Sequence, residues 1–476
     1  VPVNPVPTVN TLTNQTLCNG NMTTAVPFSG AVAGTIYNWS NNTPAIGLSP
    51  SGSGDIAAFA AINNGTTPVT ATITVTPQFD GCNGQPKTFT ITVNPAPSVT
   101  FSQPDQSICS GTSSVAVNLT SATPGTSFNW TSAVPAGVTG VATSGTNTIP
   151  AQNLVNTTPN PVIIEYVAIA QTTGVACPGA PVIYRITVTP VPFVSTTQQQ
   201  TVCSGTAFNV LPSDGAPNNV PPGTTFTWTM PSGSGFTGAS AQATPVNTIS
   251  QTLVNTTTLP VTAVYTVTPR FNSCAGVPFT VTVTVNPTAV ITDTAATICT
   301  GGSFTINPAL ISGASIPAGT TYSWGAPIVT GGLTGGTSGT DPNTISGTLT
   351  NSTTATQTAT YTVTPLSPIG TCAGAPFDIV VTVRPQLVVT PQLSNFNGFE
   401  ISTAGGNDGW INLSPAGGSG SYSYSWTGPN GFTSSAQNIT GLTAGTYIAT
   451  ISDGLCSNVV LTLQVREPLP LVIQEV

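Results

Sequence analysis

A pattern of cysteine, tryptophan and cysteine that recurs four times along 476 residues constrains this chain more than any other feature. The first cysteine of the pattern returns after 91, 94 and 96 residues, and a tryptophan follows it by 21 or 25 residues. This period is too long for a solenoid repeat and matches one small β-sandwich domain. The repeated positions are Cys18, Trp39 and Cys82; Cys109, Trp130 and Cys177; Cys203, Trp228 and Cys274; and Cys299, Trp324 and Cys372.

Apolar and polar residues alternate within each repeat, which predicts β-strands. In residues 278–287, Val281, Val283 and Val285 alternate with threonines, and residues 224–230 behave similarly. A period of two with one apolar face indicates antiparallel strands that pack on a core and leave the other face in water. Gly, Pro, Asn and Ser turns separate about seven short strands in each repeat, as in a β-sandwich. An Asn-Thr/Ser turn also recurs, at Asn156, Asn255 and Asn351, with Asn64 similar.

The sequence contains no histidine, and only 4% of its residues are charged. It therefore cannot build a Ser-His-Asp triad or a histidine-ligated metal site, and we predict that it is not an enzyme. A net charge of −8 with five basic residues provides no patch for nucleic acid, and no apolar run is long enough for membrane insertion. We expect no cofactor.

The cysteines predict disulfides within each repeat. Both positions are expected at the same pole of a sandwich, and a paired pattern in a chain that looks secreted favours oxidation over reduced, buried cysteines. Cys456 then remains as a free thiol. The predicted pairs are Cys18–Cys82, Cys109–Cys177, Cys203–Cys274 and Cys299–Cys372.

Each repeat resembles the PKD-like, Ig-fold repeats of very large bacterial surface proteins of the Bacteroidetes type. The resemblance rests on Cys…Trp…Val-Thr-Pro…Cys followed by a strand that ends in Asn-Pro, Thr-Pro or Arg-Pro. It implies an all-β fold, a linear array of five tandem Ig-like/PKD-like antiparallel β-sandwich domains. The expected domains cover residues 1–95, 96–190, 191–287, 288–385 and 386–476, and the last includes the start of the next linker.

The fifth unit resembles the SprB-type repeat of gliding-motility adhesins. Residues 407–413 (NDGWINL), 417–426 (GGSGSYSYSW) and 441–447 (GLTAGTY) carry this resemblance. Members often have a cysteine near the position of Thr403, and its absence here leaves Cys456 without a partner in its own unit. The resemblance implies a piece of a giant adhesin, exported by the type IX secretion system to the outer-membrane surface. Residues 1–5 look like the end of a preceding repeat, and residues 467–476 look like a linker and the first strand of a further domain.

Several side chains are candidates for binding or modification. Glu165 and Arg185 are expected to face each other across two exposed strands. Asp408 and Asp453 are weak calcium candidates, since lone carboxylates in turns usually cap those turns. Thr294 lies in an Asp-Thr-Ala sequence of the kind that Bacteroidetes glycosylate on oxygen. The tryptophans of the four repeats are expected in the cores, which leaves Trp410 as the better candidate for an exposed aromatic.

Two functions fit these observations. The first is a non-catalytic stalk segment of a long cell-surface adhesin filament that supports gliding and attachment. The second is a set of carbohydrate-binding or spacer modules of a secreted polysaccharide-degrading enzyme. The expected partners are neighbouring repeats of the same protein, the type IX secretion and gliding machinery, and surface polysaccharide as a candidate ligand. We expect neither nucleic acid nor membrane insertion.

Overall fold

The computed structural model describes residues 3–195 and 197–471. In these residues the regular structure consists of β-strands and three single-turn 3₁₀ helices, Pro44–Ile46, Pro308–Leu310 and Pro429–Gly431. This confirms the all-β prediction. Residues 1, 2 and 472–476, which belong to the expected end of a preceding repeat and the expected start of a further domain, lie outside the described residues.

Buried side chains form five separate cores in the described part of the chain, one for each group of strands. The first domain contains β1 (Gln15–Cys18), β2 (Ile36–Asn41), β3 (Ser51–Ser53), β4 (Val69–Phe79), β5 (Cys82–Asn83) and β6 (Lys87–Asn94). The second contains β7 (Thr100–Phe101), β8 (Gln106–Cys109), β9 (Thr112–Ser113), β10 (Val117–Thr120), β11 (Thr126–Ser132), β12 (Val138–Thr139), β13 (Ser144–Thr146), β14 (Thr148–Ile149), β15 (Asn153–Asn156), β16 (Val162–Thr172) and β17 (Val182–Thr189).

The third domain contains β18 (Gln198–Cys203), β19 (Ala207–Val210), β20 (Thr225–Trp228), β21 (Phe236–Thr237), β22 (Gln242–Val246), β23 (Ile249–Thr252), β24 (Val254–Asn255), β25 (Val261–Phe271), β26 (Cys274–Ala275) and β27 (Phe279–Asn286). The fourth contains β28 (Thr294–Cys299), β29 (Ser303–Ile306), β30 (Thr321–Trp324), β31 (Ile328–Val329), β32 (Leu333–Gly335), β33 (Gly339–Asp341), β34 (Ile345–Asn351), β35 (Gln357–Ser367), β36 (Cys372–Ala373) and β37 (Phe377–Arg384). The fifth contains β38 (Val388–Leu393), β39 (Gly409–Ala416), β40 (Ser423–Thr427), β41 (Thr433–Ser434), β42 (Ile439–Leu442), β43 (Gly445–Ser452) and β44 (Val459–Val465).

The first four domains share one arrangement of their larger sheet. In the first domain the strand order is β1-β6-β4-β2-β3, and the second, third and fourth domains repeat it as β8-β17-β16-β11-β13, β18-β27-β25-β20-β22 and β28-β37-β35-β30-β33. The short strand that opens each of these sheets runs parallel to the strand that closes the domain, whereas the other pairs along this path are antiparallel. This one parallel pair decides where the cysteines lie.

The predicted alternation is confirmed in the long strands. Tyr265 in β25 and Val281, Val283 and Val285 in β27 are fully buried, while the threonines between them are half-buried or exposed. Burying one such side chain stabilises the fold by roughly 1.5–3 kcal/mol before conformational entropy is counted.

The tryptophan of each repeat is paired with a residue of the edge strand, which is a glycine in the first, second and fourth domains. Trp39, Trp130 and Trp228 are buried, as expected, but Trp324 is only partly buried. Each indole nitrogen donates a hydrogen bond to a backbone carbonyl, which in the fourth domain belongs to Thr337. In the fourth domain Gly325 follows Trp324, and Ile328 and Val329 pair further along β35.

Each of the first four domains has one long strand, namely β4, β16, β25 or β35. A buried asparagine forms hydrogen bonds that stabilise the turn before this strand. Asn255, for example, donates from its amide to the carbonyls of Leu259 and Val285, both at 2.8 Å, and accepts from the backbone of Thr257. Asn156 and Asn351 make the same set of contacts. In the first domain the equivalent residue is Asn63, so the assignment of Asn64, which is exposed, was wrong by one residue.

The fifth domain has a different sheet arrangement, with β38-β39-β42 in one sheet and β41-β40-β43-β44 in the other. All the pairings among these strands are antiparallel. Its core is built around Trp426, Ile411 and Tyr447, which are almost completely buried. Both carboxylate oxygens of Glu400 accept hydrogen bonds from the guanidinium of Arg466, and one of them also accepts from the backbone N–H of Arg466. These contacts hold the end of β44 to the loop after β38.

Candidate functional site: the bridged junctions between domains

The first cysteine of each repeat lies at the end of its domain from which the chain leaves. Each one is the last residue of the short parallel strand and stands level with the last residue of the closing strand. The paired residues are Cys18 with Asn94, Cys109 with Thr189, Cys203 with Asn286 and Cys299 with Arg384. These cysteines therefore face the following domain.

The second cysteine of each repeat lies at the opposite pole. Cys82, Cys177, Cys274 and Cys372 come between the long strand and the closing strand, before the closing strand begins. Cys456 has the corresponding place in the fifth domain, between β43 and β44. This pole faces the preceding domain.

Four disulfides consequently join neighbouring domains rather than closing loops within one domain. Their Cα–Cα distances are 5.4–5.6 Å. The bonds are Cys18–Cys177, Cys109–Cys274, Cys203–Cys372 and Cys299–Cys456. In the part of the chain that the structure describes, the cysteine left free is Cys82, and it is exposed.

The predicted pairing within repeats is therefore wrong, as is the prediction of a free thiol at Cys456. The pairs Cys18–Cys82, Cys109–Cys177, Cys203–Cys274 and Cys299–Cys372 would each have to span the length of a closing strand. In the first domain that strand has eight residues, or roughly 26 Å at the usual rise, whereas a disulfide needs Cα atoms roughly 4.4–6.8 Å apart. The expectation that both cysteines lie at one pole fails because the first strand of each repeat runs parallel to the last.

Each junction has two covalent connections that lie side by side. The peptide linker leaves from the closing strand, and the disulfide leaves from the strand paired with it. The second, third and fourth domains are bonded in this way at both poles. Two adjacent connections resist bending and separation of the domains more strongly than a single flexible linker does.

A glycine follows the second cysteine of each repeat by two residues. It lets the peptide segment that enters the domain lie against the loop that carries this cysteine. Gly84, Gly179 and Gly276 each donate a 2.8 Å hydrogen bond to the end of the long strand. A Cβ at these glycines would lie 1.8–1.9 Å from the carbonyl oxygens of Pro7, Pro97 and Pro192, respectively. Gly374 has the same place against Ala289. Cys-x-Gly alone does not reveal this close approach, because it also follows the first cysteine of each repeat, where Gly20, Gly111 and Gly205 have open space around them.

The last junction also carries charge. Arg384 ends the fourth domain, where the first and third domains end in asparagine, and its buried Nε has no hydrogen-bond partner in the described residues. Burial raises the pKa of the Asp453 carboxyl in the fifth domain. Backbone N–H groups of Leu455, Cys456 and Ser419 and the charge of Arg384 outweigh that effect, so the pKa is lowered overall. The lowered pKa favours an ionised Asp453, three residues before the cysteine of the Cys299–Cys456 bond.

The predicted cross-strand pair is confirmed. Glu165 and Arg185 are opposite each other in β16 and β17, and Nε of Arg185 donates to Oε1 of Glu165 at 2.9 Å. Both side chains are about half exposed, so this pair adds little stability.

The two calcium candidates each have local hydrogen bonds. Asp453 accepts from three backbone N–H groups in two loops, as a capping carboxylate does. Asp408 accepts from the backbone N–H of Ser402 at 3.1 Å, and hydrogen bonds from Ser402 lower the pKa of its carboxyl. The described residues contain no cluster of three or more cysteine, aspartate or glutamate side chains suited to a metal ion.

The remaining candidates lie on the surface. Trp410 is partly buried rather than fully exposed, and Thr294 is the half-buried first residue of an edge strand, next to Asp293, which accepts from the backbone of Asp378. Trp324, expected in the core, instead lines an open groove of about 440 Å³ with serine, threonine and glycine residues.

The comparison with protein families agrees with the repeated sheet arrangement. The model of the PKD-like domain matches residues 14–97, 106–192, 200–289 and 296–387, which is well over half of the chain. The chain belongs to the PKD-like domain family. The part of this PKD-like chain after residue 387 lies outside these four matches, and a comparison with curated proteins finds no match.

The comparison with solved structures returns chains of tandem domains at low identity and low TM-score. A protocadherin gammaB7 EC3-6 structure has 10% identity and a TM-score of 0.27, covering 80% of this chain and 100% of that one. The titin fragment I67-I69 has 10% identity and a TM-score of 0.27, covering 61% and 99%. The eight N-terminal Ig domains of Down Syndrome Cell Adhesion Molecule have 11% identity and a TM-score of 0.24, covering 98% and 70%. Likeness at this level says nothing about what the PKD-like chain binds.

Proposed function

We propose that this chain is a non-catalytic, load-bearing stalk segment of a long extracellular adhesin. The observation that carries the proposal is the series of four disulfides that bond each domain to the next. Disulfides of this kind persist outside the cytosol, which supports an extracellular location. The described residues contain no helix that could cross a membrane.

The bridges give the stalk a way to keep its length when a domain yields. If the second domain unfolds while its neighbours stay folded, Cys18 still holds Cys177, and Cys109 still holds Cys274. Two short segments, residues 95–109 and 177–189, then carry the load in parallel. Each has about 13–15 residues, which extend to roughly 50 Å at most. The rest of the domain remains in a slack loop.

The fifth domain supports a more specific proposal. Its motifs in residues 407–413, 417–426 and 441–447 are those that resemble SprB-type repeats. On that basis the parent protein is a gliding-motility adhesin, exported by type IX secretion and attached to the outer membrane. The stalk in this proposal separates an adhesive region from the cell, and neighbouring repeats are its immediate partners.

A deletion in the native gene tests the stalk proposal. Removing residues 96–287 deletes two whole periods and leaves Cys18 to meet Cys372, so the bridged pattern is retained. We expect surface display to persist and gliding or attachment to fall only modestly, in proportion to the lost length. Abolition of attachment while the shortened protein is still displayed would contradict the proposal.

The groove beside Trp324 is the one observation that favours carbohydrate-binding modules as the alternative function. Partly exposed indole and hydroxyl groups are suited to a sugar ring. Binding of the full chain to a panel of surface polysaccharides, measured by calorimetry, would decide between the two functions. Micromolar binding that is lost in Trp324→Ala and kept in Trp410→Ala would replace the stalk proposal for the fourth domain. We expect no such binding.

A further inference from the structure

Cys82 has the same backbone place as two cysteines that are bonded to a preceding domain. It pairs across the end of the long strand with Phe79, just as Cys274 pairs with Phe271 and Cys372 with Ser367. Both equivalents are at most 1% exposed because the bond and the preceding domain cover them, whereas Cys82 is exposed. The loop at Cys82 therefore resembles the loops that contact a preceding domain, but in the described residues no domain covers it.

The entering chain at this pole also has the form of a linker between two domains. The carbonyl of Pro7 lies against Gly84 as those of Pro97 and Pro192 lie against Gly179 and Gly276. Counting back three residues from each proline places Asn4 at the position of Asn94 and Thr189, the last residues of two closing strands.

The side chain of Asn4 makes the contact expected of that position. Its amide donates to Oδ2 of Asp80 at 2.7 Å, in the loop that carries Cys82. At the junction of the third and fourth domains, Asn286 lies similarly against Gly370, in the loop that carries Cys372. The peptide segment that enters the first domain thus already makes the contacts that the linkers make at the other junctions.

We propose that Cys82 forms a disulfide with a further PKD-like domain that precedes residue 1 in the full-length protein. The partner is the cysteine that ends the first strand of that domain, level with Asn4. The bond forms by exchange: the two thiols lose two protons and two electrons to a small disulfide oxidant, which is reduced to two thiols. This inference does not depend on the stalk proposal, since it concerns the completion of a junction and not what the array does.

An extended chain provides the test. Residues 192–286 are duplicated in front of residue 5 of the full chain, so the copied Asn286 replaces Asn4 and the copied Cys203 stands at the proposed place. The copied Cys274 is changed to serine, and both the extended and the original chain are oxidised with glutathione disulfide. Peptides are then mapped without reduction, using pepsin because five basic residues give trypsin too few sites.

We expect a cross-link between the copied Cys203 and Cys82. The number of maleimide-reactive thiols should then fall from one per chain in the original chain to none in the extended chain. Cys203→Ser in the copy should restore one reactive thiol, at Cys82. A reactive Cys82 alongside a reactive copied Cys203, in an extended chain whose other four bonds are formed, would overturn the proposal. A dimer linked through Cys82 of two chains would also overturn it.

Discussion

Single buried side chains hold the turns and sheets of each domain in place. The asparagines that precede the long strands use both amide hydrogens on carbonyls and the oxygen on a backbone N–H. A buried carbonyl that loses its donor costs roughly 1–3 kcal/mol. These residues therefore stabilise the turn through hydrogen bonds and not through apolar burial.

Asn63→Ala should destabilise the first domain by on the order of 2 kcal/mol, because the carbonyls of Val93 and Thr67 lose their donor. Hydrogen exchange of the peptide covering residues 87–94 in increasing urea measures this loss. Asn64→Ala is the matched control, since the exposed neighbour should change stability by less than about 0.5 kcal/mol. Equal effects of the two substitutions would contradict the assignment.

Gly145→Ala should destabilise the second domain by roughly 1–3 kcal/mol through overpacking. Gly145 is opposite Trp130, and a Cβ there would lie 2.4 Å from the indole ring. The midpoint of urea unfolding, read from the hydrogen exchange of residues 126–132, checks this. Gly325→Ala, where a Cβ meets nothing within 4 Å, should leave its own domain almost unchanged. An unchanged midpoint for Gly145→Ala would show that the indole moves aside freely.

At the scale of strands, the sequence predicted what a period of two can encode. The buried faces of β25 and β27 followed from alternation, because only one face of each strand contacts a core. Alternation does not state whether a neighbour is parallel, so the direction of β1 and the pole of Cys18 could not be read from it. Nor could it separate Asn63 from Asn64 in a turn, or show that Trp324 is only partly buried.

The contact between the loop after β38 and the end of β44 should make the fifth domain sensitive to acid. Hydrogen bonds from Arg466 lower the pKa of Glu400 below its ordinary value of 4.5, despite an opposing effect of burial. The stabilisation is therefore complete above pH 4.5 and is lost as the pH falls through the lower folded-state pKa. Hydrogen exchange of residues 459–466 between pH 7 and 3, corrected for the intrinsic rate, should show this loss.

Glu400→Gln is the control for that experiment. It removes the titrating carboxyl, so it should lower stability at pH 7 and flatten the decline between pH 4.5 and 3. The lowered pKa values of Asp408 and Asp453 leave a residual acid dependence in the same domain. An unchanged acid decline in Glu400→Gln would rule out this contact as its source.

At the scale of the whole molecule, successive bridges overlap. Residues 109–177 lie inside both the Cys18–Cys177 and the Cys109–Cys274 loops, and the third and fourth domains are enclosed in the same way. The domains therefore form a chain with two connections at every joint from Cys18 to Cys456. Disulfides within domains would leave each joint with one peptide linker.

Pulling on single oxidised chains should show the effect of the double joints. Unfolding of the second domain should lengthen the chain by on the order of 20 Å, because a segment of about 13 residues replaces a folded strand. After reduction the same event should release about 90 residues, or roughly 300 Å. Cys82→Ser should behave like the unchanged chain, since it leaves the four bonds intact. Steps of 300 Å in the oxidised chain would contradict the double joints.

The disulfide map tests the central claim most directly. The oxidised chain, blocked at its free thiol and digested with pepsin without reduction, is analysed by mass spectrometry for linked peptides. We predict four links, Cys18–Cys177, Cys109–Cys274, Cys203–Cys372 and Cys299–Cys456, with the blocking group on Cys82. Links of Cys18 to Cys82, Cys109 to Cys177, Cys203 to Cys274 and Cys299 to Cys372, with the blocking group on Cys456, would contradict the account.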